Sequence, residues 1–110
     1  MSGIAVLGPQ ALIPLKAEAF TNLITKKLRG ECVDIDDISK HQSDILRLSL
    51  LLASEDRIVL PPFLKHDLLE VIQDIEQNPP DWKIFRKTVG FPGVFDGMGL
   101  INLIKTVYSL

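Results

Sequence analysis

The sequence predicts a mainly α-helical fold, a bundle-like domain of four to five helices with at most one short N-terminal strand. Apolar residues recur at the three- and four-residue spacing of amphipathic helices in three long stretches, roughly residues 14–29, 38–53 and 62–77. Prolines and glycines, which interrupt helices, separate these stretches. A chain of 110 residues has the length of one domain, and we therefore expect residues 1–110 to form a single helical unit.

The composition excludes several classes of protein. The chain is 46% hydrophobic and 24% charged with a net charge of −2, so it has no overall attraction to nucleic acid or to an anionic membrane. No segment approaches 18 apolar residues without a charge, and no membrane span is predicted. Cys32 is the sole cysteine and allows no internal disulfide. The simplest expectation is a cytoplasmic protein with no membrane partner, and the composition does not indicate a nucleic-acid partner.

The first apolar run, Ile4 to Leu7, is closed by Gly8 and Pro9 and is typical of a short strand. The one other stretch with a trace of two-residue alternation is Arg57 to Leu60. A strand needs a neighbour to satisfy its backbone hydrogen bonds, so residues 1–8 are interpreted as the edge of a larger sheet.

The first long helix should end near Arg29, with Pro14 either as its first residue or as the cause of a kink. Apolar side chains cover so wide an arc that most of this helix is expected to be buried. Lys16 is unusual there, because its helical neighbours three and four residues away are all apolar. These neighbours are Leu12, Ile13, Ala19 and Phe20. Such a lysine is either a functional cation or a side chain whose stem packs on apolar surface while its ammonium reaches water.

Three aspartates precede the second helix, which is expected over about residues 38–53. Asp34 or Asp36 is predicted to cap its N-terminus, because aspartate is a common N-cap residue. The other acids are then expected in the first turn, where negative charge offsets the helix dipole. A calcium loop is excluded because the twelfth position of the EF-hand pattern holds Ile45 in place of glutamate. The acidic turn is therefore interpreted as a helix start.

One face of the second helix carries charge. Asp44 lies four residues after Lys40, whereas His41 falls on the apolar stripe. Antiparallel helices joined by a short turn bring the start of the first near the middle or end of the second, so we predict that Lys16 and Asp44 meet. The other histidine, His66, belongs to a different element, so a four-ligand zinc set is lacking and no metal site is predicted.

The second half of the chain completes the helical set. A third helix opens at Pro61 and Pro62, a short helical turn follows at Trp82, and a last helix is expected from about Met98 to Ser109. Basic residues alternate with the aromatic residues near Trp82; core anchoring is the preferred interpretation and single-stranded nucleic-acid binding is the alternative. The last helix is apolar around much of its circumference, so it belongs either to the core or to a subunit contact. The surplus of apolar surface predicts a homodimer.

Two segments of the central helix pair resemble a known family. The first is L-K-A-x-A at Leu15 to Ala19, after a short strand and a proline; the second is K-H-x-x-D-I-L-R-L at Lys40 to Leu48. The closing helix, which ends in V-Y-S-L, is also similar. Together these features resemble the C-terminal helical half of the AbiEii-type nucleotidyltransferase-like proteins, within the nucleotidyltransferase fold superfamily. The resemblance implies transfer of a nucleotidyl group from a nucleoside triphosphate, often by the toxin of a toxin-antitoxin pair.

The resemblance also implies roles for individual residues. Lys16 would face the phosphates of a nucleotide, with Asp44, Lys40 and His41 as its orienting partners. The family's metal-binding acids lie in its N-terminal half, and this chain has no matching carboxylate pair, so we expect no complete catalytic site and no nucleotidyl transfer by this chain alone. Magnesium and a nucleoside triphosphate are expected only for a complete nucleotidyltransferase-like protein, in which Ile4 to Leu7 would be the last strand of the catalytic half.

Two functions from different classes remain open. In the first, the chain is the helical C-terminal portion of a nucleotidyltransferase-like protein, and its partner is the missing N-terminal catalytic half or an antitoxin-type protein. In the second, it is an autonomous helical interaction module that forms a homodimer and has no catalytic activity. The upstream coding sequence distinguishes them, because only the first requires a glycine-rich turn with paired acids.

Overall fold

The computed structural model describes residues 8–93 and 95–110. It contains five helices: α1 (Pro9–Leu28), α2 (Ile35–Ser49), α3 (Pro62–Gln77), α4 (Trp82–Val89) and α5 (Gly97–Tyr108). The described residues form no strand, and the predicted mainly helical, bundle-like fold is confirmed. The strand predicted for Ile4 to Leu7 lies outside the described residues. None of these five helices is both long enough and apolar enough to cross a membrane.

Local side-chain chemistry sets several helix ends. Asp34 caps α2, because its Oδ1 accepts a hydrogen bond from the Asp36 N–H at 2.9 Å. Asp81 caps α4 in the same way, accepting two backbone N–H groups from the first turn at 2.9 and 3.2 Å. The C-terminal end of α4 lies at Gly90, whose φ of 70° is left-handed and suits glycine.

Two predicted elements differ in extent from the structure. The second helix was expected at about residues 38–53, but it begins directly after its cap, Asp34. Beyond its C-terminal end the Asp56 carboxylate accepts a hydrogen bond from the Ala53 N–H at 3.0 Å, and this turn replaces the last predicted helical turn. The segment at Trp82, predicted as a short helical turn, is a helix of eight residues.

The apolar faces of the helices form one core. Helix α1 packs against α2 and α3, and α2 also contacts α5. The buried apolar residues are Ile13, Ala17, Phe20, Ile38, Ile45, Leu46, Leu52, Leu68, Val71, Ile72, Ile75, Phe85, Leu100, Ile101, Ile104, Val107 and Tyr108. Five of them belong to α5, so this helix takes the first of its two predicted places, in the core.

The prediction that most of α1 is buried is wrong. Its buried face is narrow and includes Ile13, Ala17 and Phe20, whereas Leu15 is 45% exposed and Leu28 is 83% exposed. The apolar arc of α1 is wider than the surface that α2 and α3 cover. Helix α1 therefore keeps apolar side chains in contact with solvent.

Pro14 lies inside α1, which begins at Pro9. Proline has no N–H, so the carbonyl of Gln10, four residues earlier, lacks its intrahelical hydrogen bond. The Tyr108 hydroxyl donates a hydrogen bond to this carbonyl at 2.9 Å and so joins the first helix to the last. Burial raises the pKa of Tyr108 above its usual range, and the negative charge of Asp56 raises it further, so the hydroxyl remains a donor to a higher pH than an exposed tyrosine would.

The segment between α2 and α3 forms a second link to α5. Residues 57–60 form no strand, but the Ile58 N–H donates a hydrogen bond to the Val107 carbonyl at 2.8 Å. Ile58 and Leu60 are half-buried, whereas Val59 between them is 97% exposed. The alternation in this stretch therefore reflects extended backbone with one side packed on the protein and the other in solvent.

Candidate functional site

Lys16 of α1 and Asp44 of α2 form an ion pair. The Lys16 Nζ lies 3.2 Å from the Asp44 Oδ2. The two helices form an antiparallel hairpin, so a residue in the first half of α1 meets one in the second half of α2. The predicted contact between Lys16 and Asp44 is therefore confirmed.

The Lys16–Asp44 pair is partly solvated. The side chains are 35% and 23% exposed, respectively. Solvent at this level screens the attraction between the charges, so the pair adds little stability. An ammonium has three N–H donors, and this contact uses one of them. Chemically, the pair can position Lys16 to bind one further acceptor, such as a phosphate oxygen or water.

The other two predicted site residues do not join this pair. Lys40 is exposed and forms no ion pair with any described residue. The Nδ1 atom of His41 is buried and has no hydrogen-bond partner among the described residues, which agrees with its predicted place on the apolar stripe. Of the four predicted residues, Lys16 and Asp44 are the two that a polar contact brings together.

Breaking the Lys16–Asp44 pair should change stability only slightly. Partly exposed ion pairs contribute less than about 1 kcal/mol, so Lys16→Met and Asp44→Asn should each lower the free energy of unfolding by less than that. Urea unfolding of both single variants and the double variant measures the coupling energy. The control is Lys26→Met, which removes an exposed lysine that forms no ion pair within the described chain. A loss of about 3 kcal/mol or more from Lys16→Met would show that the pair is desolvated.

A second site lies at α4, where core anchoring was the preferred prediction and single-stranded nucleic-acid binding was the alternative. It is a cavity of about 560 Å³, named here the basic-aromatic pocket and lined by Trp82, Lys83, Arg86, Lys87, Gly93 and Phe95. The Arg86 Nε donates a hydrogen bond to the Gly93 carbonyl, which ties the guanidinium to the loop after α4. The three basic residues are spaced to share one helix face, a signal that is readable in the sequence. The loop after α4, which contributes Gly93 and Phe95 to the pocket, has no such signal in the sequence.

The aromatic wall of the basic-aromatic pocket belongs to a cluster of four rings. The Phe95 ring centroid lies 5.8 Å from that of Trp82, 5.4 Å from that of Phe85 and 5.1 Å from that of Phe91. Phe85 is buried, which confirms core anchoring for this residue. Trp82 and Phe95 are half-buried and also contribute surface to the pocket.

An apolar groove of about 400 Å³ lies where α1, α3 and the segment before α3 meet. It is lined by Gln10, Ala11, Pro14, Leu15, Ile58, Leu60 and Leu64. Four of these residues belong to α1, and one of them, Leu15, is the neighbour of Lys16. Two further apolar residues adjoin the lining residues along the chain, Val59 at 97% exposed and Phe63 at 63% exposed. Sequence reasoning missed the groove because three separate elements form it.

The described residues bring one group of three potential metal ligands together. His66, Asp67 and Glu70 of α3 carry ligand-type atoms within 4.8 Å of one another. His66 and Glu70 are exposed, and the His66 Nε2 lies 3.7 Å from the Glu70 Oε1, a pairing that is ordinary at this helical spacing. Three groups on one exposed helix face do not close the four-ligand set of a structural zinc site.

Three features can bear a function: the Lys16–Asp44 pair, the basic-aromatic pocket and the apolar groove. The resemblance to nucleotidyltransferase-like proteins stays a prediction that depends on short sequence segments. Comparisons of the chain with protein-family models, with curated protein sequences and with solved structures found no match.

Proposed function

We propose that this chain is a helical protein-interaction module that forms a homodimer through its apolar groove. The observation that carries the proposal is the groove itself, in which Gln10 is the one polar residue of seven lining residues. Phe63, which is 63% exposed, directly precedes the lining residue Leu64 in the chain. An open groove lined almost entirely by apolar side chains is typical of protein-interaction sites.

A second copy of the chain is the partner that we propose for this surface. The groove offers a concave apolar surface, and Phe63, which immediately precedes the lining residue Leu64 in the chain, offers an exposed apolar side chain. A two-fold axis places the same patch on both subunits, and Phe63 of each copy can then enter the groove of the other. The lining residues carry no charge, so the two copies meet without like-charge repulsion across the axis.

The proposed dimer should be weak. Association costs about 4–15 kcal/mol in lost translational and rotational freedom, and only a few exposed apolar side chains lie at the groove to offset this cost. Association is therefore measured at several micromolar concentrations.

Phe63→Ser should convert the dimer to a monomer, because it removes the protruding side chain from both halves of a two-fold interface. Sedimentation at several micromolar concentrations should give twice the chain mass of 12.3 kDa for the unmodified protein and 12.3 kDa for the variant. The matched control is Ile84→Ser, since Ile84 is also 63% exposed but lies on α4, away from the groove lining. A monomeric unmodified protein, or equal effects of the two substitutions, would contradict the proposal.

A second candidate function is the helical portion of a nucleotidyltransferase-like protein, with Lys16 as the cation that faces phosphate. The contact between Lys16 and Asp44 favours it, because Asp44 orients an ammonium that keeps donors for another acceptor. This candidate requires paired metal-binding acids after a glycine-rich turn in an upstream coding sequence. An upstream sequence without them would leave the homodimer as the better account.

A further inference from the structure

The basic-aromatic pocket holds three cations without an acidic partner. Lys83, Arg86 and Lys87 all line it, and none of them forms an ion pair with a described residue. Its lining residues include no carboxylate. In a chain whose net charge is −2, the pocket is a local concentration of positive charge.

Helix stability does not account for all three charges. Arg86 and Lys87 lie in the last turn of α4, where cations offset the helix dipole. Lys83 lies in the first turn, at the positive end of the dipole. It is also three and four residues from two like charges, a spacing that destabilises a helix. A bound anion would offset both effects.

The same pocket presents aromatic surface beside these charges. The half-buried rings of Trp82 and Phe95 have centroids 5.8 Å apart. Arg86 is held by its Nε–H bond to Gly93, and its other N–H groups make no hydrogen bond to a described residue. They can therefore bind an anion in a fork geometry. The volume of about 560 Å³ falls in the usual range for small-molecule sites.

We infer that the basic-aromatic pocket binds a ligand that joins a phosphate to a planar aromatic ring, as a nucleotide does. Lys83, Lys87 and the Arg86 guanidinium pair with the phosphate, and the ring stacks on Trp82 or Phe95. A free mononucleotide and a nucleotide unit of a single-stranded nucleic acid share this chemistry. The site uses none of the groove residues, so it is independent of the proposed homodimer.

Trp82 is the only tryptophan of the chain, so its fluorescence reports on this pocket. AMP should quench the fluorescence saturably and bind more tightly than adenosine or inorganic phosphate at the same ionic strength, because each of these lacks one half of the ligand. A short single-stranded oligonucleotide is titrated in parallel. Affinity no greater than that of AMP identifies a free nucleotide as the source, whereas tighter binding that falls steeply with salt identifies single-stranded nucleic acid.

The double variant Lys83→Gln/Lys87→Gln should weaken AMP binding about tenfold or more, because it removes two charge-assisted contacts. The matched control, Lys26→Gln/Lys27→Gln, removes the same net charge from exposed positions in the last turn of α1. It should change the affinity by less than about twofold, since distant surface charges are screened. Circular dichroism establishes that both variants are folded.

Three results would overturn the inference. The first is equal weakening of AMP binding in the two double variants. The second is equal affinity for AMP and inorganic phosphate, which would leave the rings without a role. The third is the absence of saturable quenching by AMP up to about 10 mM, tenfold above the 1 mM dissociation constant of a weak complex.

Discussion

Gly97→Ala is expected to lower the free energy of unfolding by about 1 to 3 kcal/mol. Gly97 is buried at the start of α5, and a Cβ atom there would lie 2.2 Å from the Trp82 Cε2. Alanine has no rotamer that relieves this overlap. The Trp82 ring is itself confined, because it packs edge-on against Phe85 and beside Phe95, each at 5.8 Å between centroids. Either α5 or the ring cluster must therefore move and lose packing.

Gly99→Ala provides the matched control for Gly97→Ala within the same helix. A Cβ atom at residue 99 would meet the carboxylate of Asp96 at 2.8 Å, and Asp96 is exposed and can rotate away. Alanine is favoured over glycine inside a helix by about 1 kcal/mol, so this variant should be neutral or more stable. Urea unfolding followed by circular dichroism measures both variants. Similar effects would show that the clash with Trp82 does not determine the cost.

Tyr108→Phe is expected to lower the free energy of unfolding by about 1 to 3 kcal/mol. The substitution keeps the ring and removes the hydroxyl that donates to the Gln10 carbonyl at 2.9 Å. Because Pro14 supplies no N–H to that carbonyl, the variant leaves a backbone acceptor without a hydrogen bond from the protein. Tyr108 is 1% exposed, so water does not simply replace the hydroxyl at that position.

A second substitution tests this explanation of the Tyr108 hydrogen bond. Pro14→Ala restores an N–H that can donate to the Gln10 carbonyl from within α1. In that background Tyr108→Phe should cost less than about 0.5 kcal/mol, so the two substitutions should couple strongly. Denaturant unfolding of the four proteins of this cycle measures the coupling. An equal cost of Tyr108→Phe in both backgrounds would show that the missing N–H of Pro14 does not matter.

Local sequence rules predicted much of the fold. Helical periodicity located the long helices, and capping chemistry identified Asp34 as one of two candidates for the start of α2. The prediction that prolines open the third helix is also confirmed, because α3 begins at Pro62. The contact between Lys16 and Asp44 followed from the antiparallel connection of two neighbouring helices, which needs only a short turn.

These local rules could not predict contacts between distant parts of the chain. Periodicity shows that a helix has an apolar face, but it does not say which residue of another helix meets that face. The close approach of Gly97 to Trp82 depends on the path of the loop between α4 and α5. The partial exposure of Leu15 likewise depends on how much of α1 its neighbours cover, which pattern alone cannot supply.

The hydrogen bond between Gln10 and Tyr108 also has a consequence for synthesis of the protein. Its two residues are 98 positions apart, and the Ile58–Val107 bond likewise needs α5. A ribosome releases α1 first, but the donor for the Gln10 carbonyl emerges only when α5 has been synthesised. Helices α1 to α3 can therefore pair before α5 is available, whereas closure of the domain waits until α5 has left the ribosome.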